Sequence, residues 1–217
     1  MPSLDAMIAV ALAGLALSAT PGPSMLYVLS RTVGQSRAAG LASALGLCLG
    51  GIVLAVATAL GLAALFETSD WLVTALRYVG SAYLIWLGVD MIRSARAAAK
   101  VALNVEEVQA KPLSSIVWQG VLVEVLNPKT VLFFALFLPP FIHAGDAQTA
   151  AASVTVQLLV LGSLVPLTAI PSDLVVAYMG GTMAKIVNRK TVMRERMAWL
   201  GGLILIGIAV NLHVSIL

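Results

Sequence analysis

Long hydrophobic segments, separated by short polar stretches, run through almost the whole of this 217-residue chain. Each is long enough for an α-helix to cross the hydrocarbon core of a bilayer, which takes about 20 residues. A backbone in that environment must satisfy its own hydrogen bonds, so helices are the expected structure. The six segments are Leu4–Ser30, Ala39–Leu65, Trp71–Ile92, Leu113–Ile142, Ala150–Ala184 and Ala198–Leu217. The sequence therefore predicts an all-α integral membrane protein with six transmembrane helices.

The composition excludes several classes of protein. Hydrophobic residues make up 60% of the chain and charged residues 11%, and the mean hydropathy is +0.99. Six spanning helices leave no room for a soluble catalytic domain, and no nucleophile and base stand out as a pair. Cys48 is the single cysteine, and His143 and His213 lie far apart, so neither a disulfide nor a metal site is expected. We predict no enzymatic activity, no cofactor and no nucleic-acid partner.

The basic residues predict the orientation in the membrane. Eleven of the 13 Lys and Arg residues lie in three stretches that share one face of the six-helix topology. They are Arg31 and Arg37; Arg93, Arg96, Lys100 and Lys111; and Lys185, Arg189, Lys190, Arg194 and Arg196. By the positive-inside rule these stretches face the cytoplasm, which places both termini outside a bacterial-type cytoplasmic (inner) membrane.

The same topology divides residues 1–217, a single transmembrane domain, into two sets of three helices. Residues 1–92 form the first repeat, residues 93–112 a polar cytoplasmic linker, and residues 113–217 the second repeat. The first repeat starts outside and the second starts inside, so the two halves have inverted topology. Inverted repeats are common in secondary transporters.

Helix-breaking residues interrupt the first and fourth segments at matching places. Proline removes an amide donor and glycine tolerates unusual backbone angles, so each cluster is expected to break its helix. Paired breaks of this kind point to the substrate site of a secondary transporter. A half-helix that restarts after a break directs its positive end toward it, which suits a carboxylate. The predicted substrate-binding residues are Thr20, Pro21, Gly22, Pro23 and Ser24 in the first break, and Asn127, Pro128 and Lys129 in the second.

Three charged residues lie at membrane depth near these breaks. An ammonium group at the bilayer centre costs about 3 kcal/mol, so Lys129 should face a cavity, a substrate carboxylate or a buried acid. Glu124 and Asp173 are candidates for a substrate ammonium or a coupling proton. Five residues turn a helix by about 140°, so Glu124 and Lys129 should not pair on one regular helix. Pro166 and Pro171 would loosen the backbone before Asp173, which favours Asp173 as the acid of the site. These prolines could also make a third break, in segment 5.

Small residues form a stripe along the second segment: Ala39, Ser43, Gly46, Gly50, Ala57 and Gly61. This spacing, with Gly46 and Gly50 one turn apart, is typical of close packing between membrane helices. Packing is favoured over substrate contact, and the stripe could serve internal packing or a homodimer. Cys48, in the same segment, is interpreted as a small packing residue.

Four motifs, in this order along the chain, resemble the LysE/RhtB (lysine exporter and homoserine-threonine efflux) family of amino-acid exporters. They are Ala19-Thr20-Pro21-Gly22-Pro23-Ser24, the Gly80–Gly88 stretch, Leu126-Asn127-Pro128-Lys129-Thr130, and Phe133-Phe134 through Leu138-Pro139-Pro140-Phe141. The resemblance implies about six helices and proton-driven export of amino acids or close derivatives from the cytoplasm. Glu124 and Pro140 depart from the residues usual in the family, so no particular amino acid is implied.

Two other functions are compatible with the same residues. A membrane scaffold that transports nothing could use the broken helices for packing alone, and an exporter could carry another small solute or ion. The scaffold predicts that Lys129→Met leaves folding and function intact. The exporter predicts a zwitterionic amino acid, protons and the lipid bilayer as partners.

Overall fold

The computed structural model describes residues 1–19, 22–68, 70–100, 109–142, 150–189 and 191–216. Within these ranges the chain is helical and has no strand, which confirms the predicted all-α class. The helices are α1 Leu4–Ala19, α2 Pro23–Gly34, α3 Arg37–Thr68, α4 Asp70–Lys100, α5 Leu113–Val125, α6 Pro128–Leu132, α7 Ala150–Arg189 and α8 Thr191–Ile216. After α6 come a π-helix, Phe133–Phe137, and a 3-10 turn, Pro139–Phe141.

Several of these helices have the length and composition of membrane spans. Arg37–Leu62 within α3 and Val154–Gly180 within α7 can each cross a bilayer alone. If each of two bent helix pairs is one span, the described residues contain two more. The pairs are α1 with α2, bent by 52°, and α5 with Pro128–Phe141, bent by 50°. The chain is therefore a multi-pass membrane protein, while a total of six spans stays a prediction.

The first and fourth segments are divided where the sequence predicted breaks. Helix α2 begins at Pro23 and α6 at Pro128, so a proline occupies the first helical position after each break. Proline suits that position because its missing N–H would have no partner inside the helix. The residues before the prolines are extended, with φ −154° and ψ −175° at Gly22, and φ −72° and ψ 109° at Asn127.

The fifth segment is not broken, so that part of the prediction is wrong. Helix α7 continues through both Pro166 and Pro171. A membrane helix tolerates proline where neighbouring helices support the backbone, and α3 packs closely at this point. A Cβ on Gly51 would lie 2.6 Å from the Pro166 ring. Asp173 therefore projects from a continuous helix rather than from a loosened one.

The predicted linker, residues 93–112, also differs from the structure. Helix α4 continues to Lys100, so residues 93–100 are helical. Residues 101–108 lie outside the described part of the chain, and residues 109–112 lead into α5 without regular structure.

Close packing is confirmed for the first part of the small-residue stripe. A Cβ on Gly46 would overlap the α5 backbone, and one on Gly50 would lie 2.8 Å from the Glu124 Cβ. Farther along α3, Ala57 and Gly61 are exposed, and a Cβ on Gly61 would meet nothing within 4 Å. Gly46 and Gly50 therefore let α3 pack closely against α5.

A row of aromatic rings is buried after the second break. The Phe133 and Phe137 centroids are 4.3 Å apart, and those of Phe137 and Phe141 are 4.9 Å apart. Helix α4 approaches this row because Gly80 has no side chain to collide with the Leu136 carbonyl. The packing anchors the π-helix, a local distortion that often occurs at functional sites.

Three side chains spaced one turn apart, two on α2 and one directly after it, hydrogen-bond to α5 and to the residues before α5; we call this the α2–α5 seam. Tyr27 Oη donates to the Ile116 carbonyl at 2.8 Å. Arg31 donates to the Gln109 carbonyl at 3.2 Å and to the Gln119 amide oxygen at 2.8 Å. The Gln35 side chain bonds to the Lys111 backbone at 2.8 and 3.1 Å. Arg31 was predicted to follow the first helix, but it lies within α2 and is 6% exposed.

The seam also joins two of the three basic stretches. An ion pair of 3.2 Å between Arg96 and Glu195 connects the end of α4 to the start of α8. These contacts place the end of α2 beside the start of α5, and the end of α4 beside the start of α8. That all three basic stretches share one face stays a prediction. Their orientation toward the cytoplasm stays a prediction.

Arg31→Ala is expected to reduce the free energy of unfolding by about 2–3 kcal/mol, because it removes the two hydrogen bonds that the buried guanidinium donates. Arg96→Ala is the matched control, since the Arg96 side chain is 83% exposed. An exposed ion pair contributes about 0–1 kcal/mol. Thermal unfolding of both variants in detergent measures the loss of stability. An equal loss in the two variants would contradict the prediction.

Candidate functional site

The two breaks border one cavity. Its walls come from α1, α2, α3, α5, α6, the π-helix and α7, and it holds about 660 Å³ of empty space including its opening. The polar side chains at its surface are Ser18, Ser24, Cys48, Glu124, Asn127, Lys129, Thr130 and Asp173.

Side chains from the two breaks bond directly to each other. The Ser24 hydroxyl donates to Glu124 Oε2 at 2.6 Å, and Asn127 Nδ2 donates to Ser24 Oγ at 3.1 Å. Asn127 Oδ1 in turn accepts from the Lys129 backbone N–H at 3.1 Å, which caps the start of α6. We call Ser24, Glu124 and Asn127 the break network. The network joins the start of α2, in the first segment, to the break between α5 and α6 in the fourth.

The Lys129 side chain reaches back across the cavity to the first helix. Its Nζ donates to the Leu17 carbonyl at 3.3 Å. That carbonyl is among the last four of α1, which have no partner inside the helix, and a cation is favourable at this helix end. Among the described residues Lys129 forms no ion pair with an acid. An ammonium group has three donors, so two remain for a ligand in the cavity.

Asp173 approaches the same cavity from α7. The residue is 9% exposed and lines the cavity wall. Within the described part of the chain, no donor hydrogen-bonds to its carboxylate. The two acids therefore differ, because Glu124 accepts a short bond from Ser24.

The cavity brings together most of the predicted site residues. Gly22, Pro23, Ser24, Glu124, Asn127, Lys129 and Asp173 line it. Pro128 begins α6 but is not part of the wall, and Thr20 and Pro21 lie outside the described residues. The expectation that Glu124 and Lys129 cannot share a face assumed a regular helix. The 50° bend between α5 and the segment after it lets both line one cavity.

Sequence reasoning missed much of the cavity wall. The apolar part comes from Gly14, Leu17, Met25, Leu47, Gly51, Phe134, Val165, Pro166 and Ala169. Cys48, interpreted as a packing residue, is half-buried and lines the cavity. Helical spacing could have found Gly14 and Leu17, which lie within two turns before the first break. No comparable signal marked the residues of α3 and α7.

The arrangement suits a small zwitterion with an apolar part. One ammonium group and two carboxylates share the cavity with an apolar wall. Within the described residues no side chain caps the start of α2 at Gly22, so backbone amides there are available to an anion. No group of three or more potential metal ligands occurs among the described residues.

Comparisons with known proteins agree with this chemistry. The sequence matches the family model of LysE type translocators over residues 15–215. It is 36% identical over 132 residues to an uncharacterised membrane protein of Pseudomonas aeruginosa, covering 58% of this chain and 59% of that protein. It is 28% identical over 192 residues to a leucine efflux protein of Enterobacter sp., covering 88% and 87% of the two chains. A threonine efflux protein of Escherichia coli is 28% identical over 143 residues, 66% of this chain and 69% of that protein.

No solved structure matches the chain. The family match nevertheless extends over nearly the whole sequence and includes both breaks. Proteins of this family are transporters, not enzymes. The resemblance read from the motifs is thereby confirmed: this chain belongs to the LysE type translocator family.

Proposed function

We propose that the protein exports amino acids, or small derivatives of them, from the cytoplasm as a proton-coupled secondary transporter of a bacterial-type cytoplasmic membrane. The observation that carries the proposal is the cavity between the two breaks, which combines an ammonium group, two carboxylates and an apolar wall. Relatives named for leucine and threonine efflux support amino acids as the class of cargo.

The substrate carboxylate binds to Lys129 Nζ and to the uncapped amides at the start of α2. The substrate ammonium binds to an acid of the cavity, Asp173 or Glu124, and the coupling proton also uses an acid of this pair. The apolar wall, which includes Leu17 and Phe134, receives the side chain of the amino acid.

Helix contacts support two inverted repeats, residues 1–92 and 113–217, around this site. The second and third segments of one half pack against their counterparts in the other half, α3 against α7 and α4 against α8. The first segments also correspond, since α1 contacts α8 while the π-helix contacts α4. In our proposal the halves rock about the cavity, with the basic end toward the cytoplasm and both termini outside.

Transport by the purified protein in liposomes tests the proposal. A panel of radiolabelled leucine, threonine, lysine and glutamate, with and without an imposed pH gradient, measures both flux and coupling. We expect gradient-driven flux of at least one of them. No flux above that of empty liposomes for any member would contradict amino-acid export and favour the scaffold.

Cys48 provides a second test on the unmodified protein. Because it is the only cysteine and lines the cavity, a bound amino acid should slow its reaction with N-ethylmaleimide several-fold. The control is Cys48→Ser combined with Ser114→Cys, whose cysteine replaces an exposed polar residue at the start of α5, outside the cavity wall, and should react at the same rate with or without amino acid. An unprotected Cys48 in the presence of a transported amino acid would contradict binding in this cavity.

A further inference from the structure

The two acids of the cavity have different surroundings. We propose that Asp173 is the one exchange site at which the substrate ammonium and the coupling proton alternate, and that Glu124 is a positioning residue that holds the breaks together. This inference rests on the proposed function. The proposed function treats the two carboxylates as equivalent, and the inference gives each a separate role.

Glu124 is already engaged in the break network. It accepts a 2.6 Å bond from Ser24, and Asn127 donates to the same hydroxyl oxygen. Hydroxyl bonds of about 2.5–2.7 Å to an ionised carboxylate are among the stronger hydrogen bonds in proteins. The close approach of Gly50 to the Glu124 Cβ also restricts this side chain. One of the two Glu124 oxygens is therefore already used to hold the two breaks together.

Asp173 has no such commitment within the described part of the chain. The titratable or charged groups that face it across the cavity are Cys48 from α3, Glu124 from α5 and Lys129 from α6. Helices α1 and α2 contribute Ser18 and Ser24 but no charge. Ser24 occupies one Glu124 oxygen, whereas both Asp173 oxygens are without a donor among the described residues and can receive a cation.

A single free carboxylate couples the two fluxes by competition. An external proton forms an O–H bond with Asp173 and breaks its ion pair with the substrate ammonium, so the amino acid leaves outward with its charges unchanged. Asp173 then releases that proton to the cytoplasm and can bind the next ammonium. One proton enters for each amino acid exported. The KM for cytoplasmic substrate should therefore rise as cytoplasmic pH falls.

Carbodiimide labelling tests the assignment on the wild-type protein, because dicyclohexylcarbodiimide reacts with protonated carboxyl groups in apolar surroundings. We expect mass spectrometry to find the adduct on Asp173. Its yield should increase at acid pH and decrease when the amino acid with the highest wild-type flux in the panel above is present at saturation. An adduct on Glu124 with none on Asp173 would overturn the proposal.

Matched variants separate the two roles. Asp173→Asn should lose gradient-driven accumulation by at least tenfold and make the KM independent of pH, while Asp173→Glu should restore the pH dependence. Glu124→Gln keeps an oxygen that accepts from Ser24 but removes the charge that strengthens this bond, so it should lower the maximal rate yet retain the pH-dependent KM. The reverse pattern would overturn the proposal, and gel filtration establishes that each variant is folded. If Asp173→Asn does not fold, labelling of the wild type decides.

These outcomes are separable from failure of the proposed function. Wild-type liposomes that move no amino acid would contradict the export function itself. Wild-type export with the carbodiimide adduct on Glu124, or with a pH-dependent KM retained in Asp173→Asn, would contradict only the role of Asp173.

Discussion

Lys129→Met is expected to lower amino-acid export at least about 100-fold. The variant keeps much of the side-chain bulk but removes the charge that we propose receives the substrate carboxylate and the donor that bonds to the Leu17 carbonyl. Removing one partner of a buried ion pair costs about 3–5 kcal/mol, and each 1.4 kcal/mol corresponds to about a tenfold change in binding. Initial rates in liposomes, normalised to the amount of folded protein, measure the effect.

Lys111→Met is the matched control. Lys111 is exposed and uses its backbone, not its ammonium group, in the α2–α5 seam. Its export rate should stay close to that of the wild type. Wild-type export by Lys129→Met would contradict the proposed carboxylate site and favour a scaffold in which the broken helices serve packing.

Gly46→Leu is expected to prevent formation of the folded protein or to destabilise it severely. A Cβ at this position would overlap the Val117 carbonyl and lie 2.9 Å from the Gly120 Cα. Overpacking in a core typically costs about 1–3 kcal/mol and sometimes more, and here the obstacle is backbone that cannot rotate away. The yield of monodisperse protein and its unfolding temperature in detergent measure the loss.

Gly61→Leu is the control on the same helix. Its Cβ would meet nothing within 4 Å, and replacing a helical glycine gains up to about 1 kcal/mol of helix propensity. The protein should therefore fold with unchanged or slightly higher stability. Equal destabilisation by the two substitutions would contradict the conclusion that Gly46 is required for close contact between α3 and α5.

The positions of the two breaks were predictable because the responsible property is local. Pro23 and Pro128 lack an amide donor wherever they occur, and each begins a new helix. The same reasoning was wrong for Pro166 and Pro171, which lie inside α7. Whether a proline breaks a membrane helix depends on the neighbours that support it, such as Gly51 of α3, and those neighbours are distant in sequence.

The residues of the site were partly predictable for the same reason. Lys129, Glu124 and Asp173 could be selected because a charge at membrane depth requires a cavity or a partner. Cys48 was assigned to packing, since an uncharged side chain in an apolar run carries no such requirement. Its position on the cavity wall depends on how α3 is rotated against α5 and α7.

By itself, the sequence determined that the chain forms apolar membrane helices, that two segments break near prolines, and which charges lie near those breaks. Each of these follows from hydropathy or local backbone chemistry. Only the tertiary structure decided that Ser24 meets Glu124, 100 residues away, that Lys129 bonds to Leu17, and that Asp173 is left without a donor among the described residues. Such contacts depend on the crossing and rotation of distant helices, which no periodicity within one segment specifies.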